Sequence, residues 1–291
     1  GTPNPTNLAT DADCWSTTSG GNGNGLPVAG DNILADASSG AGTGTFNASL
    51  NITTGTVNTT GFTGTLALAT FTLTNTGTIT HDGGTITSGT GGIDGGAMTM
   101  SSGVPTAVVT VTGAGTWRLN ALTIQAGGTF TADAATITMD GDWNSSAGTF
   151  TYGTSTVVFA GNGTLTTPGS LNVEYFNNFT VNAGVTLTVA TNNNAVGVVT
   201  INGSYSAPTV RLGITGSLVL GGAASTNFDL RWNNANSLPG GTYNSLSFET
   251  TAVLAGNITL TGTNTADASF GGLSTRVGAI LTTNNFNITL T

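Results

Sequence analysis

A Gly-Thr step followed by a large apolar residue recurs ten times in this chain, starting at Gly44, Gly55, Gly64, Gly77, Gly84, Gly115, Gly128, Gly148, Gly163 and Gly241. Chance at this composition would give about two or three, so the motif is a repeat. Gly44, Gly64 and Gly84 are spaced by 20 residues, as are Gly128 and Gly148. Between the glycines the pattern has period two. Phe46, Ala48, Leu50 and Ile52 alternate with Asn47, Ser49, Asn51 and Thr53, and Val185, Leu187 and Val189 with Thr186 and Thr188. Such segments are short strands with one face buried. Threonine suits their outer face because β-branching favours extended backbone. Glycine and asparagine suit the corners, where positive φ is needed.

One strand of this length cannot bury its inner face alone. Stacking successive coils completes a core and pairs each backbone with its neighbours. The expected fold is therefore all-β, a parallel β-helix or β-solenoid with coils of about 20 residues. At a rise of ~4.8 Å per coil, 291 residues would give roughly 14 coils and a rod of about 65–70 Å. Tandem β-sandwich domains are the alternative, since they also use regular short strands.

Composition supports stacking. The chain holds 60 Thr, 45 Gly, 30 Asn and 21 Ser, and only 6% of its residues are charged. Aligned Thr and Asn on successive coils can hydrogen-bond to one another, whereas a charge repeated every ~4.8 Å would repel its copy. With no Lys and four scattered Arg, net charge −9, the chain cannot build the cationic track that nucleic acid needs. No apolar run is long enough for a membrane-spanning helix. Cys14, the single cysteine, can form no intrachain disulfide and reads as a small buried residue. Nine Asn-x-Ser/Thr sequons are about what 81 Ser and Thr would produce by chance, so they do not indicate glycosylation.

Four segments can be drawn: an extended lead-in over 1–13, a first solenoid segment over 14–103, central repeats over 104–205, and a C-terminal segment over 206–291. The last strand, Asn287–Thr291, has no polar cap, which predicts self-association or continuation of the stack through that edge.

Several motifs resemble those of repetitive β-solenoid proteins of bacterial surfaces and phage virions, a group including filamentous-haemagglutinin-like adhesins, autotransporter passengers and tail fibres. The opening Cys14-Trp15-Ser16, Gly20-Gly21, Leu26-Pro27 and Gly30-Asp31-Asn32 is similar to their starts. Asp140-Gly141-Asp142-Trp143-Asn144 with Gly148-Thr149-Phe150 is similar to their central repeat. Leu238-Pro239-Gly240-Gly241-Thr242-Tyr243 resembles another copy. The resemblance implies a right-handed parallel β-helix in a fibre, spacer or adhesin, located extracellularly or on a cell or virion surface, and carries over no catalytic residue.

The chemistry-bearing candidates are few. Asp140 and Asp142 lie two apart beside Trp143, a spacing that admits a sugar subsite or a Ca²⁺ site, although Asp-Gly-Asp is also turn chemistry. Asp229, Arg231 and Trp232 form a second candidate glycan patch, with the indole as a stacking surface. His81-Asp82 reads as a solvated corner before Gly83-Gly84. One His and one Cys exclude a structural zinc site. The expected activity is therefore non-catalytic, with no cofactor required. The rival readings are a carbohydrate-cleaving tailspike and a filament subunit that exchanges strands. The expected partner is a cell-surface glycan or receptor, with neither nucleic acid nor a membrane span involved.

Overall fold

The computed structural model describes residues 26–290, apart from 101–106, 171–174, 222–224, 233–236, 244, 249–251, 261–272, 276–279 and 284. Cys14 and the lead-in over 1–13 lie outside the described residues. The chain divides into two compact units, residues 1–155 and 156–291. Among the described residues every strand pair within each unit is parallel, and the only helix is one 3₁₀ turn at Ala37–Ser39. Sandwich domains would require antiparallel sheets, so the solenoid is the architecture.

In the first unit, Thr65–Ala69, Thr72–Asn75 and Ile79–His81 make up one turn, and Thr85–Ser88 with Gly92–Met100 the next. Each strand pairs with its counterpart one turn on. Ile33, Val57, Ile79, Met98, Leu122 and Trp143 thus form one continuous column. All six are buried. In the second unit Val157, Phe179, Val199 and Leu218 form an equivalent column. Stacking like on like is what makes the fold stable, since each fully buried aliphatic side chain contributes about 1.5–3 kcal/mol.

The turns are not uniform. Thr65 pairs with Thr85 at a spacing of 20, Ile33 with Val57 at 24, Asp229 with Ser245 at 16 and Ile258 with Ile288 at 30. The described residues make about ten turns rather than fourteen, because most turns exceed 20 residues and part of the chain lies outside the description. The Gly44–Gly64 spacing is likewise not a structural period. Gly44 sits inside a strand opposite Leu66, and the residue stacked below Gly64 is Gly42.

Glycine is obligatory where the backbones of successive turns meet at one corner. A Cβ on Gly55 would lie 1.6 Å from the Asp31 carbonyl oxygen, one on Gly77 2.0 Å from that of Gly55, and one on Gly96 1.5 Å from that of Gly77. No side chain fits any of these gaps.

Corner asparagines tie turns together through their side chains. The Asn162 amide oxygen accepts from the Thr186 backbone N–H at 2.7 Å, that of Asn178 from Val198 at 2.8 Å, and that of Asn192 from Arg211 at 2.8 Å. The Asn32 oxygen accepts from both the backbone N–H and the hydroxyl of Thr56. These bonds do the work that salt bridges do elsewhere. The bond from Thr186 is exposed, so water can replace it in part. Asn162→Ala is expected to cost about 0.5–1.5 kcal/mol in denaturant unfolding, as for one net hydrogen bond.

Candidate functional surface

The most regular feature of the surface lies on the six-stranded sheet of the first unit, built from Thr43–Thr45, Thr65–Ala69, Thr85–Ser88, Val108–Val111, Thr129–Thr131 and Thr149–Thr151. Its alternation follows from the Gly-Thr-apolar motif. The central residues Ile86, Val109 and Phe130 turn inward and are buried, so the flanking positions face out. Register aligns Thr43, Thr65, Thr85, Val108, Thr129 and Thr149 in one outer column. A second column runs through Thr45, Ala67, Thr87, Thr131 and Thr151, with Thr110 at the matching backbone position between Thr87 and Thr131. Ten of the twelve positions are threonine, and none is charged or aromatic. In this sheet the register shifts between Ala67 and Ala69, just past the second column.

Asp140, Asp142 and Trp143 do not converge. Asp140 follows the strand Thr136–Met139 and binds Arg118 through two contacts, at 2.6 Å from Nε and 3.2 Å from Nη2. That pairing raises the Arg118 pKa. Gly141 packs so that a Cβ would lie 2.4 Å from the Asn120 carbonyl oxygen, and the backbone carbonyl of Asp142 accepts from the Leu122 N–H. The motif is a corner. Trp143 faces inward, fully buried, with its indole N–H donating to Ser145 Oγ at 3.0 Å. No group of three His, Cys, Asp or Glu side chains placed to hold a metal ion occurs among the described residues.

The second candidate patch divides between two faces. Trp232 is fully buried opposite Ile214 and Phe248, whereas its neighbour Arg231 is half-exposed. Register places Asp229 beside Arg211 of the preceding turn. Neither Trp143 nor Trp232 offers a ring face to a sugar.

His81 is a correction. It ends the strand Ile79–His81 on the same face as Ile79 and is fully buried rather than solvated. Nε2 donates to the Val108 carbonyl at 2.9 Å, which leaves Nδ1 to accept from the Thr59 hydroxyl at 2.8 Å. The Gly83 carbonyl lies 3.0 Å from the same hydroxyl. Burial lowers the His81 pKa to about 4, against the raising effects of the Val108 carbonyl and Asp82. The folded state therefore holds the imidazole neutral, while the unfolded chain takes up a proton from about pH 6.5 downward. The stabilisation is complete above that pH and is lost as pH falls toward 4. Unfolding titrations should show a loss of roughly 3 kcal/mol over this window, absent in His81→Gln.

No protein-family model, no curated protein and no solved structure matches the chain. Each unit is a β-solenoid. Among the described residues no helix is long and apolar enough to cross a membrane.

Proposed function

We propose that this chain is a non-catalytic structural and adhesive element of an extracellular or phage virion appendage, acting as a fibre, spacer or adhesin. What supports the reading is the use to which the reactive side chains are put. Asp140 holds Arg118 across turns, and His81 joins segments 22 residues before it and 27 after it. Trp143 and Trp232 fill the interior. The outer columns of the six-stranded sheet carry hydroxyl and methyl groups with no charge or ring, which suit repeated weak contacts with a glycan, a receptor or a second copy of the chain.

Immunogold labelling of the producing cells or virions tests this reading. Label on surface or tail appendages is expected, and label confined to the cytoplasm would overturn it. A panel of surface polysaccharides provides the enzymatic control. The proposal expects no release of reducing ends, and their release would establish the tailspike-type alternative.

A further inference from the structure

We infer that the threonine face of the first unit is a binding surface for ice. This goes beyond the structural reading and does not depend on the chain's place in an appendage. A two-dimensional lattice of side chains recognises a partner by its repeat. Neighbouring turns lie ~4.8 Å apart, and outward residues two apart on a strand lie about 6.6–6.8 Å apart. The two outer columns therefore form a grid with those two repeats over six strands. A protein or an irregular glycan matches such a grid at one point. Only a periodic partner matches it everywhere.

Tetrahedrally bonded water is periodic on the same scale. With an O···O separation of ~2.75 Å, its hexagonal lattice repeats at roughly 4.5 Å in one direction and roughly 7.3 Å in the perpendicular one. Across six strands the ~0.3 Å mismatch per turn accumulates to about 1.5 Å; with the match centred on the sheet, the end strands are displaced by only about 0.75 Å, roughly a sixth of one lattice repeat. Each threonine offers a hydroxyl that can join the lattice and a methyl that orders water beside it. β-branching restricts χ1, so equivalent positions present these groups alike. Val108 and Ala67 each lack the hydroxyl, yet Val108 keeps the threonine shape.

Other partners fit less well. A crystalline polysaccharide would call for aromatic platforms, and the columns hold none. Nucleic acid and anionic lipid would call for cations, and no Lys or Arg occupies either column.

Ice-affinity partition and recrystallisation assays test the assignment, using the full chain. Enrichment in a slowly grown ice hemisphere and suppressed crystal coarsening are expected. Thr87→Tyr and Thr131→Tyr, which break the grid from outside, should each reduce both effects at least tenfold while leaving the circular dichroism melt unchanged. Thr138→Tyr, on a different sheet, should leave the effects intact. Exclusion of the wild-type chain from ice would overturn the assignment, as would full retention in the Thr87 and Thr131 variants. Retention on microcrystalline cellulose or chitin without retention in ice would assign the face to a glycan instead. None of these outcomes bears on immunogold localisation, so the two proposals fail separately.

Discussion

Gly96→Val is expected to unfold the first unit or to destabilise it by more than about 4 kcal/mol, in the range reserved for changes that the backbone cannot absorb. The reason is geometric. Any Cβ at this position would sit 1.5 Å from the carbonyl oxygen of Gly77, and the nearest atoms are all backbone. They belong to the neighbouring turn, so relief would require the turns to separate and their parallel hydrogen bonds to break. Gly77 stands in the same relation to Gly55, which spreads the damage along the corner. Gly42→Ala is the matched control. Nothing lies within 4 Å of a Cβ there, so its stability should stay within about 0.5 kcal/mol of the parent. Guanidinium unfolding followed by circular dichroism distinguishes the two. Equal stability of the Gly96 and Gly42 variants would refute the stacked corner.

Phe130→Ala is the second large effect, expected to cost about 3–5 kcal/mol. Phe130 is fully buried, with Trp117 edge-on at 5.3 Å and Phe150 tilted at 5.9 Å. Trp143 meets Phe150 edge-on at 4.8 Å, so the four rings form one run across several turns, with Trp117, Phe130 and Trp143 fully buried and Phe150 half-buried. Removing the central ring leaves a cavity that the flanking turns cannot close, because their spacing is fixed by the backbone ladder. Trp143→Ala should behave similarly and leave any glycan binding of the folded protein unaltered. A Trp143 variant of full stability that has lost binding would return the indole to a surface role.

The strand pattern was legible because period-two alternation between Thr and aliphatic residues is a local property. It correctly placed Phe46, Leu50, Ile52, Val185, Leu187 and Val189 inside, while Ala48 is half-buried. Turn length was not legible to the same degree. It depends on corners, whose length can vary without changing the strands, and so spacings of 16 to 30 coexist with the 20 seen in sequence. Gly44 shows the consequence: it shares the motif and the spacing of Gly64 yet stands two positions out of register with it.

The candidate sites failed for related reasons. Asp140 and Asp142 were correctly recognisable as corner residues, but that Arg118 lies one turn away could not be known without the register. His81 was misplaced by the Asp-Gly-Gly that follows it. Its spacing of two from Ile79 carried the right signal, since Ile79 is plainly inward. The threonine columns were readable residue by residue, in Thr85/Thr87, Thr129/Thr131 and Thr149/Thr151. Their alignment into a grid became visible only with the pairing of turns.

Disulfide trapping tests the register most directly. In a Cys14→Ser background, Thr129→Cys with Thr149→Cys places two thiols at directly paired positions of adjacent parallel strands. Their Cα atoms are then ~4.8 Å apart, inside the range a disulfide can span. Thr129→Cys with Thr151→Cys places them on the diagonal, roughly 8 Å apart and beyond that range. The first pair should oxidise rapidly within one chain and the second should not. Equal rates for the two pairs, or faster closure of the diagonal, would contradict the stacked solenoid.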